Sequence, residues 1–189
     1  TKDFLQGSEN YAVHLALAFK KRTKIGIVLI PERDELWFGI IGNGSWCENS
    51  NGIRKNISFS DRNEISKLIL VSSRNHQELK LQNLMKSMDF GETRKIGSVG
   101  CKVASILRGE SDVYISLSGK TSPKDWDMAA PHAVIEAAGG AFTHADGKNL
   151  IYKNSQYSQS GCLIASNGIS HQNICEKAME FFSIEESEY

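Results

Sequence analysis

The residues best placed to do chemistry lie in the stretch 124–140, KDWDMAAPHAVIEAAGG. Asp127 precedes a run of small residues at helical spacing, Ala129, Ala130, Ala133, Val134, Ala137 and Ala138. An Asp there is expected to act as the N-cap, its carboxylate accepting from backbone N–H groups that have no partner inside the helix. Pro131 is expected to be tolerated because the first turn has no N–H bonds to lose, and Gly139-Gly140 to end the helix at positive φ. So many alanines imply close packing. A carboxylate held at the positive end of a helix can orient a hard cation, and the same end favours a phosphate. Physics alone favours the plainer reading, a capped and buried helix, since one Asp holds a divalent cation weakly.

Two further groups could meet an anion. An apolar run at 67–71 ends in Ser72-Ser73-Arg74-Asn75-His76 just before a helical pattern, so hydroxyls, a guanidinium and an imidazole collect at a strand end. Without context this is a polar strand-to-helix turn. Gly97-Ser98-Val99-Gly100-Cys101-Lys102 reads as a glycine-rich turn opening a helix. Its glycines let backbone N–H groups approach a ligand, with Ser98 and Lys102 beside them. It lacks the G-x-x-x-x-G-K-[ST] spacing of a Walker A loop. Cys101 reads as a small core residue and His14 as a packed or hydrogen-bonded histidine rather than a ligand.

W-D-x-A-A followed by an apolar helix ending in A-G-G resembles the signature of the inositol monophosphatase-like family, magnesium-dependent and lithium-sensitive phosphatases. In that signature the Asp, here Asp127, is a metal ligand and catalytic. Gly97 to Lys102 resembles the family's G-S-x-[GSA]-x-K segment, and Gly44-Ser45-Trp46 its G-x-G-A-[FW] turn. S-R-x-H at 73–76 is similar to the 3'(2'),5'-bisphosphate nucleotidase branch, which hydrolyses adenosine 3',5'-bisphosphate in sulfur metabolism. Thr1-Lys2-Asp3-Phe4 resembles the residues after D-P-x-D-G, so Thr1 would be the catalytic Thr that holds the attacking water. The resemblance implies Mg2+ as cofactor, Li+ as inhibitor, and Ser73, Arg74, His76, Ser98 and Lys102 as contacts to a small phosphorylated substrate. It also implies that most metal-binding carboxylates lie upstream of Thr1, so the 189-residue chain is expected to be a fragment, inactive or nearly so. Members of the family often form homodimers.

The elements that must position these groups follow from the pattern. Residues 12–18, 25–30 and 36–41 read as strands joined by short turns, an antiparallel meander, with a further edge strand at 53–59. Strands at 67–73, 94–96, 111–117, 141–144 and 161–167 then alternate with helices at 77–88, 101–107, 127–138 and 171–182. Antiparallel strands first and alternating units later argue for a layered α+β fold. The resemblance makes that an α-β-α-β-α sandwich of the sugar-phosphatase type lacking its N-terminal part. Residues 1–60 would end the first lobe and 61–189 would form the second, in one compact unit.

Lys plus Arg and Asp plus Glu number 22 each, a net charge of zero that gives no field for a nucleic acid polymer. The four cysteines are scattered without a C-x-x-C pair, which argues against zinc and a disulfide framework and suits a reducing cytosol. No apolar run is long enough to span a membrane and no signal peptide is visible, so the expected location is cytoplasmic. Three functions stay open: a bisphosphate nucleotidase, an inositol or sugar monophosphatase, and a non-catalytic remnant that binds a nucleotide or a partner.

Overall fold

Apolar residues on both faces of the early strands require cover on two sides, and one side receives it from helices. The computed structural model describes residues 2–5, 7–74, 79–118 and 122–187. After a short helix α1 (Lys2–Leu5), five strands form an antiparallel sheet in chain order: β1 (Val13–Phe19), β2 (Arg22–Ile30), β3 (Glu35–Ile40), β4 (Gly44–Glu48) and β5 (Arg54–Lys55). This is the expected meander. Pro31 ends β2 in a single 3-10 turn closed by Asp34, in the left-handed region, whose N–H donates to the Pro31 carbonyl.

Two expectations here are corrected. The Gly44-Ser45-Trp46 turn is already strand, with the Ser45 hydroxyl donating to the Phe38 carbonyl at 2.6 Å. The edge strand expected over 53–59 shrinks to Arg54–Lys55, because the chain then leaves the sheet and the Ser58 N–H bonds the Leu107 carbonyl at 3.0 Å.

The second sheet has the order β7-β6-β8-β10-β9, built from β6 (Ile69–Ser73), β7 (Glu92–Ile96), β8 (Val113–Leu117), β9 (Ala141–His144) and β10 (Cys162–Ser166). β6 runs parallel to both β7 and β8, while β10 is antiparallel to β8 and β9. Helices α2 (Leu79–Ser87), α3 (Val99–Leu107), α4 (Asp125–Ala137) and α5 (His171–Ser187) complete the chain. The fold is the layered α+β expected, and its layers run first sheet, α3 with α4, second sheet, α2 with α5.

Strand alternation divides the core between these layers. Val71 and Tyr114 face α3 and α4, where they meet Val28, Ile30 and Trp37 of the first sheet. Leu70, Val113 and Ile115 face α2 and α5. Buried Asp112 ties the connection before β6 to the sheet: its carboxylate accepts from Arg62 Nε at 2.7 Å, the Ile69 N–H at 2.7 Å and the Ser60 hydroxyl. All four cysteines are free and buried.

The alanine-rich helix packs as closely as its composition requires. A Cβ on Gly26 of β2 would strike the Ala130 carbonyl and come within 2.7 Å of the Ala133 Cβ, and one on Gly39 of β3 would strike the Val134 backbone. Gly139, at φ +90°, lets the chain leave α4 as expected.

Candidate active site

Parallel strands bring their carboxyl ends to one edge, where the peptide chain turns into helices. Ser73 pairs with Ile96, so Ser73-Arg74 lies beside the Gly97-Ser98 turn that opens α3. Tyr114 of β8 pairs with Val71, two residues before Ser73, and faces the same layer. α4 follows β8, and Asp127 acts electrostatically on both Tyr114 and His14. Ser73, Ser98, Lys102 and Asp127 therefore collect at the carboxyl ends of β6, β7 and β8, the edge where open α/β sheets bind ligands. Two helix N-termini, those of α3 and α4, add positive potential there.

Asp127 is half-buried and not the N-cap. α4 starts at Asp125 with Lys124 as N-cap, and Asp127, the third helical residue, reaches back to accept the Lys124 N–H at 2.9 Å. An acid at that position satisfies the cap residue's own N–H, the return half of a capping box. Pro131 is likewise beyond the first turn. Its missing N–H leaves the Asp127 carbonyl without its helical donor.

The neighbouring Asp125, not singled out by the motif, anchors the helix start. Its buried carboxylate accepts from the Lys153 N–H at 2.6 Å and from Gln159 Nε2 at 2.7 Å. Asp127 is thereby left on the side of the ligand edge, with no other protein donor on its carboxylate among the described residues.

Lys102 does not reach into the open. It is 3 % exposed; its ammonium donates to the Gly97 carbonyl at 3.0 Å and the Ser98 carbonyl at 3.3 Å and lies 5.1 Å from the Tyr114 ring centre. It braces the glycine turn from beneath and lends it positive charge. Ser98, at φ +20°, is the N-cap of α3 without a side-chain cap bond, which leaves the helix's first N–H groups uncapped by that side chain. Ser73 is half-buried and Arg74 exposed at the end of β6, each with a polar or ionic partner. Thr1 and His76 lie outside the described residues.

His14 is the member that sequence reasoning left aside. It is packed, as expected, but its Nε2 is buried without a hydrogen-bond partner and rests against Gly100, where a Cβ would collide with it. Burial lowers its pKa against the opposing pull of the Asp127 charge. Burial also pushes the Tyr114 hydroxyl up to about 12. The signal for His14 was slight: a polar side chain on the inward face of an otherwise apolar strand.

Magnesium needs several oxygen ligands. Among the described residues no three His, Cys, Asp or Glu side chains gather closely enough to hold a metal ion. The described residues offer Asp127 as a partial ligand set and do not form a magnesium site by themselves.

Comparison with known proteins bears on the fold and the family. The chain is 30% identical over 155 residues to the 3'(2'),5'-bisphosphate nucleotidase CysQ of Buchnera aphidicola, a match covering 82% of this chain and 56% of that protein. It thus spans little more than half the length of the curated relative. An IMPase of Thermotoga maritima superposes with a TM-score of 0.76 at 22% identity, covering 96% of this chain and 66% of that one. A calcium-bound IMPase family protein from Staphylococcus aureus gives 0.71 at 21% identity, covering 93% and 64%. The model of the inositol monophosphatase family matches residues 1–181, and this chain belongs to that family.

Proposed function

We propose that the protein is a magnesium-dependent phosphomonoesterase of the 3'(2'),5'-bisphosphate nucleotidase kind, releasing phosphate from adenosine 3',5'-bisphosphate. One observation carries this reading: the carboxyl ends of three parallel strands lie with two helix N-termini, a buried ammonium and a carboxylate that has one protein donor among the described residues. Such an edge attracts a phosphate and offers a cation an oxygen ligand. The 30% likeness to CysQ favours the nucleotide substrate.

In this reading Asp127 is one of several metal ligands, the rest coming from outside the described residues. The first N–H groups of α3 hold the phosphate, with Ser98 at the turn and Lys102 fixing its carbonyls. Ser73, Arg74 and His76 contact the sugar, base or second phosphate, and Thr1 orients the attacking water. Lithium inhibition and a cytoplasmic location belong to the same proposal. The 189-residue chain alone, with one carboxylate at the site among the described residues, is inactive or nearly so. An inositol or sugar monophosphatase is the second reading, favoured by the 27% identity over 187 residues to inositol monophosphatase 3 of Xenopus tropicalis.

The test joins the 189 residues to the amino-terminal segment of the Buchnera nucleotidase and measures phosphate release with and without magnesium. Release from adenosine 3',5'-bisphosphate is expected. Asp127→Asn should reduce it by more than the roughly 10–100-fold that loss of an outer-shell partner costs. Asn retains an oxygen that accepts the Lys124 N–H, so the variant should melt within a few degrees of the parent. Faster release from inositol 1-phosphate would move the protein to the second reading. No release from either would leave a binding protein.

A further inference from the structure

Across the second sheet from Asp127 lies a cavity of about 360 Å³, between α2 and the ends of β6 and β7. Its floor is Ser72. The pairs Leu70–Thr93 and Ser72–Lys95 place Thr93, Lys95 and Ser72 on the α2 face of the sheet, opposite Ser73. Leu70 is covered by the core around α2, but beyond it the helix stands off, and Gln82, Met85 and Lys86 form a wall that Phe90 closes.

Ser72 is completely buried, and its Oγ has no hydrogen-bond partner. A buried hydroxyl left unpaired is destabilising, so its place at the floor of a cavity asks for a visiting polar group. Lys86 and Lys95 are exposed at the same cavity, and neither makes an ion pair among the described residues. Asp89 is the single carboxylate of the lining, which leaves a surplus of one positive charge. Met85 and Phe90 make the remaining wall apolar. The volume falls in the range of small-molecule sites, about 300–1,000 Å³.

We propose that this cavity is a second ligand site, for a small phosphorylated molecule. Its phosphate meets Lys86, Lys95 and the Ser72 hydroxyl, and its apolar body lies on Met85 and Phe90. The site is independent of the proposed phosphatase reaction, because it lies on the other face of the sheet and shares none of the residues assigned to that reaction.

Methionine methyl NMR separates the two places. Met85 lines the cavity, while Met128 is buried in α4 next to Asp127. The 189-residue chain with 13C-methyl methionine would be titrated with adenosine 5'-monophosphate and, separately, inorganic phosphate. The Met85 methyl should shift and saturate with the nucleotide, equally in the Asp127→Asn variant. Lys86→Met with Lys95→Met should weaken that binding at least tenfold. Ser72→Ala should also weaken it while leaving the melting temperature unchanged or higher, since it removes an unpaired group. Saturation by inorganic phosphate as well would show that the phosphate alone is recognised. A Met85 methyl unmoved by 10 mM of either probe would overturn the proposal. So would a shift indifferent to the lysine substitutions, or a Ser72→Ala variant that melts lower and binds normally.

Discussion

Two acids within the first three residues of one helix serve different ends. Asp125 is spent on the protein, fastening the segment around Lys153 and Gln159, whereas the Asp127 carboxylate accepts only the Lys124 N–H among the described residues. The histidines are equally specific in their bonding. Thr143 Oγ1 donates to the His144 carbonyl at 2.7 Å, so it accepts from His171 Nε2–H at 2.8 Å, and His171 Nδ1 accepts from the Ser166 hydroxyl at 2.8 Å. That arrangement holds a neutral imidazole, and a second ring proton would face the Ser166 O–H. Burial lowers the pKa of His171, His14 and His144 alike. Each binds a proton more readily when unfolded, where its ordinary value is about 6.5. Above that pH both states are neutral and stability is full; as pH falls through about 6.5 the unfolded chain alone takes up protons and stability drops, until the lowered folded values are passed. Urea midpoints measured from pH 8 downward should fall in that window, and His171→Gln should flatten part of the slope. A midpoint constant from pH 8 to 5 would contradict the buried neutral histidines.

At the scale of elements, the site depends on how closely α4 lies against the first sheet. Helix and sheet can approach so far only where the strands lack side chains, at Gly26 and Gly39. A methyl at Gly39 would meet the Ala133 carbonyl at 2.7 Å as well as the Val134 backbone, contacts that a rigid helix cannot yield. Gly39→Ala is therefore expected to cost about 1–3 kcal/mol, the usual range for overpacking, and a thermal melt would show it. Gly42→Ala, with nothing within 4 Å but φ +88°, is the control: its smaller loss would come from backbone strain alone. Equal melting of Gly39→Ala and the parent would mean that α4 sits further from the sheet than described. The same displacement would carry Asp127 away from His14 and Lys102, so Gly39 supports the site without touching it.

The whole molecule carries one face that its described residues do not cover. The outer side of the first sheet presents Val13, Leu15, Leu17 and Phe19 from β1, beside Ile25, Ile27 and Leu29 from β2 and the stacked Phe38 and Trp46. Leu15 is 64 % exposed and Phe19 60 %. Monomeric proteins rarely leave a contiguous apolar patch above a few hundred Å² in water. The 189-residue chain should consequently self-associate and bind a hydrophobic dye at micromolar concentration. Leu15→Lys with Leu17→Lys should reduce both, at a stability change within about 0.5 kcal/mol, as for other surface positions. Sedimentation velocity checks it, and a monodisperse monomer at all concentrations would refute it.

The sequence by itself determined the kinds of element and much of their order. The first three meander strands, the alternating strand–helix units and the alanine-rich helix are local patterns of alternation, turn residues and caps, each written in a few consecutive positions. It also marked Asp127 as a carboxylate able to orient a cation, and Ser73, Arg74, His76, Ser98 and Lys102 as residues able to meet a phosphate, because such chemistry needs those side chains beside glycines and strand ends. Only the tertiary structure decided what each one does. Lys102 reads as a ligand contact beside the glycine turn until β8 brings Tyr114 over it and the carbonyls of Gly97 and Ser98 take up its ammonium. Asp127 reads as an N-cap until Lys124 takes that place one turn edge earlier. His14 and Ser72 gained their interest from neighbours far along the chain, Gly100 for one and the α2 wall for the other. Burial and hydrogen-bond satisfaction are properties of contacts between distant segments, and no local pattern records them.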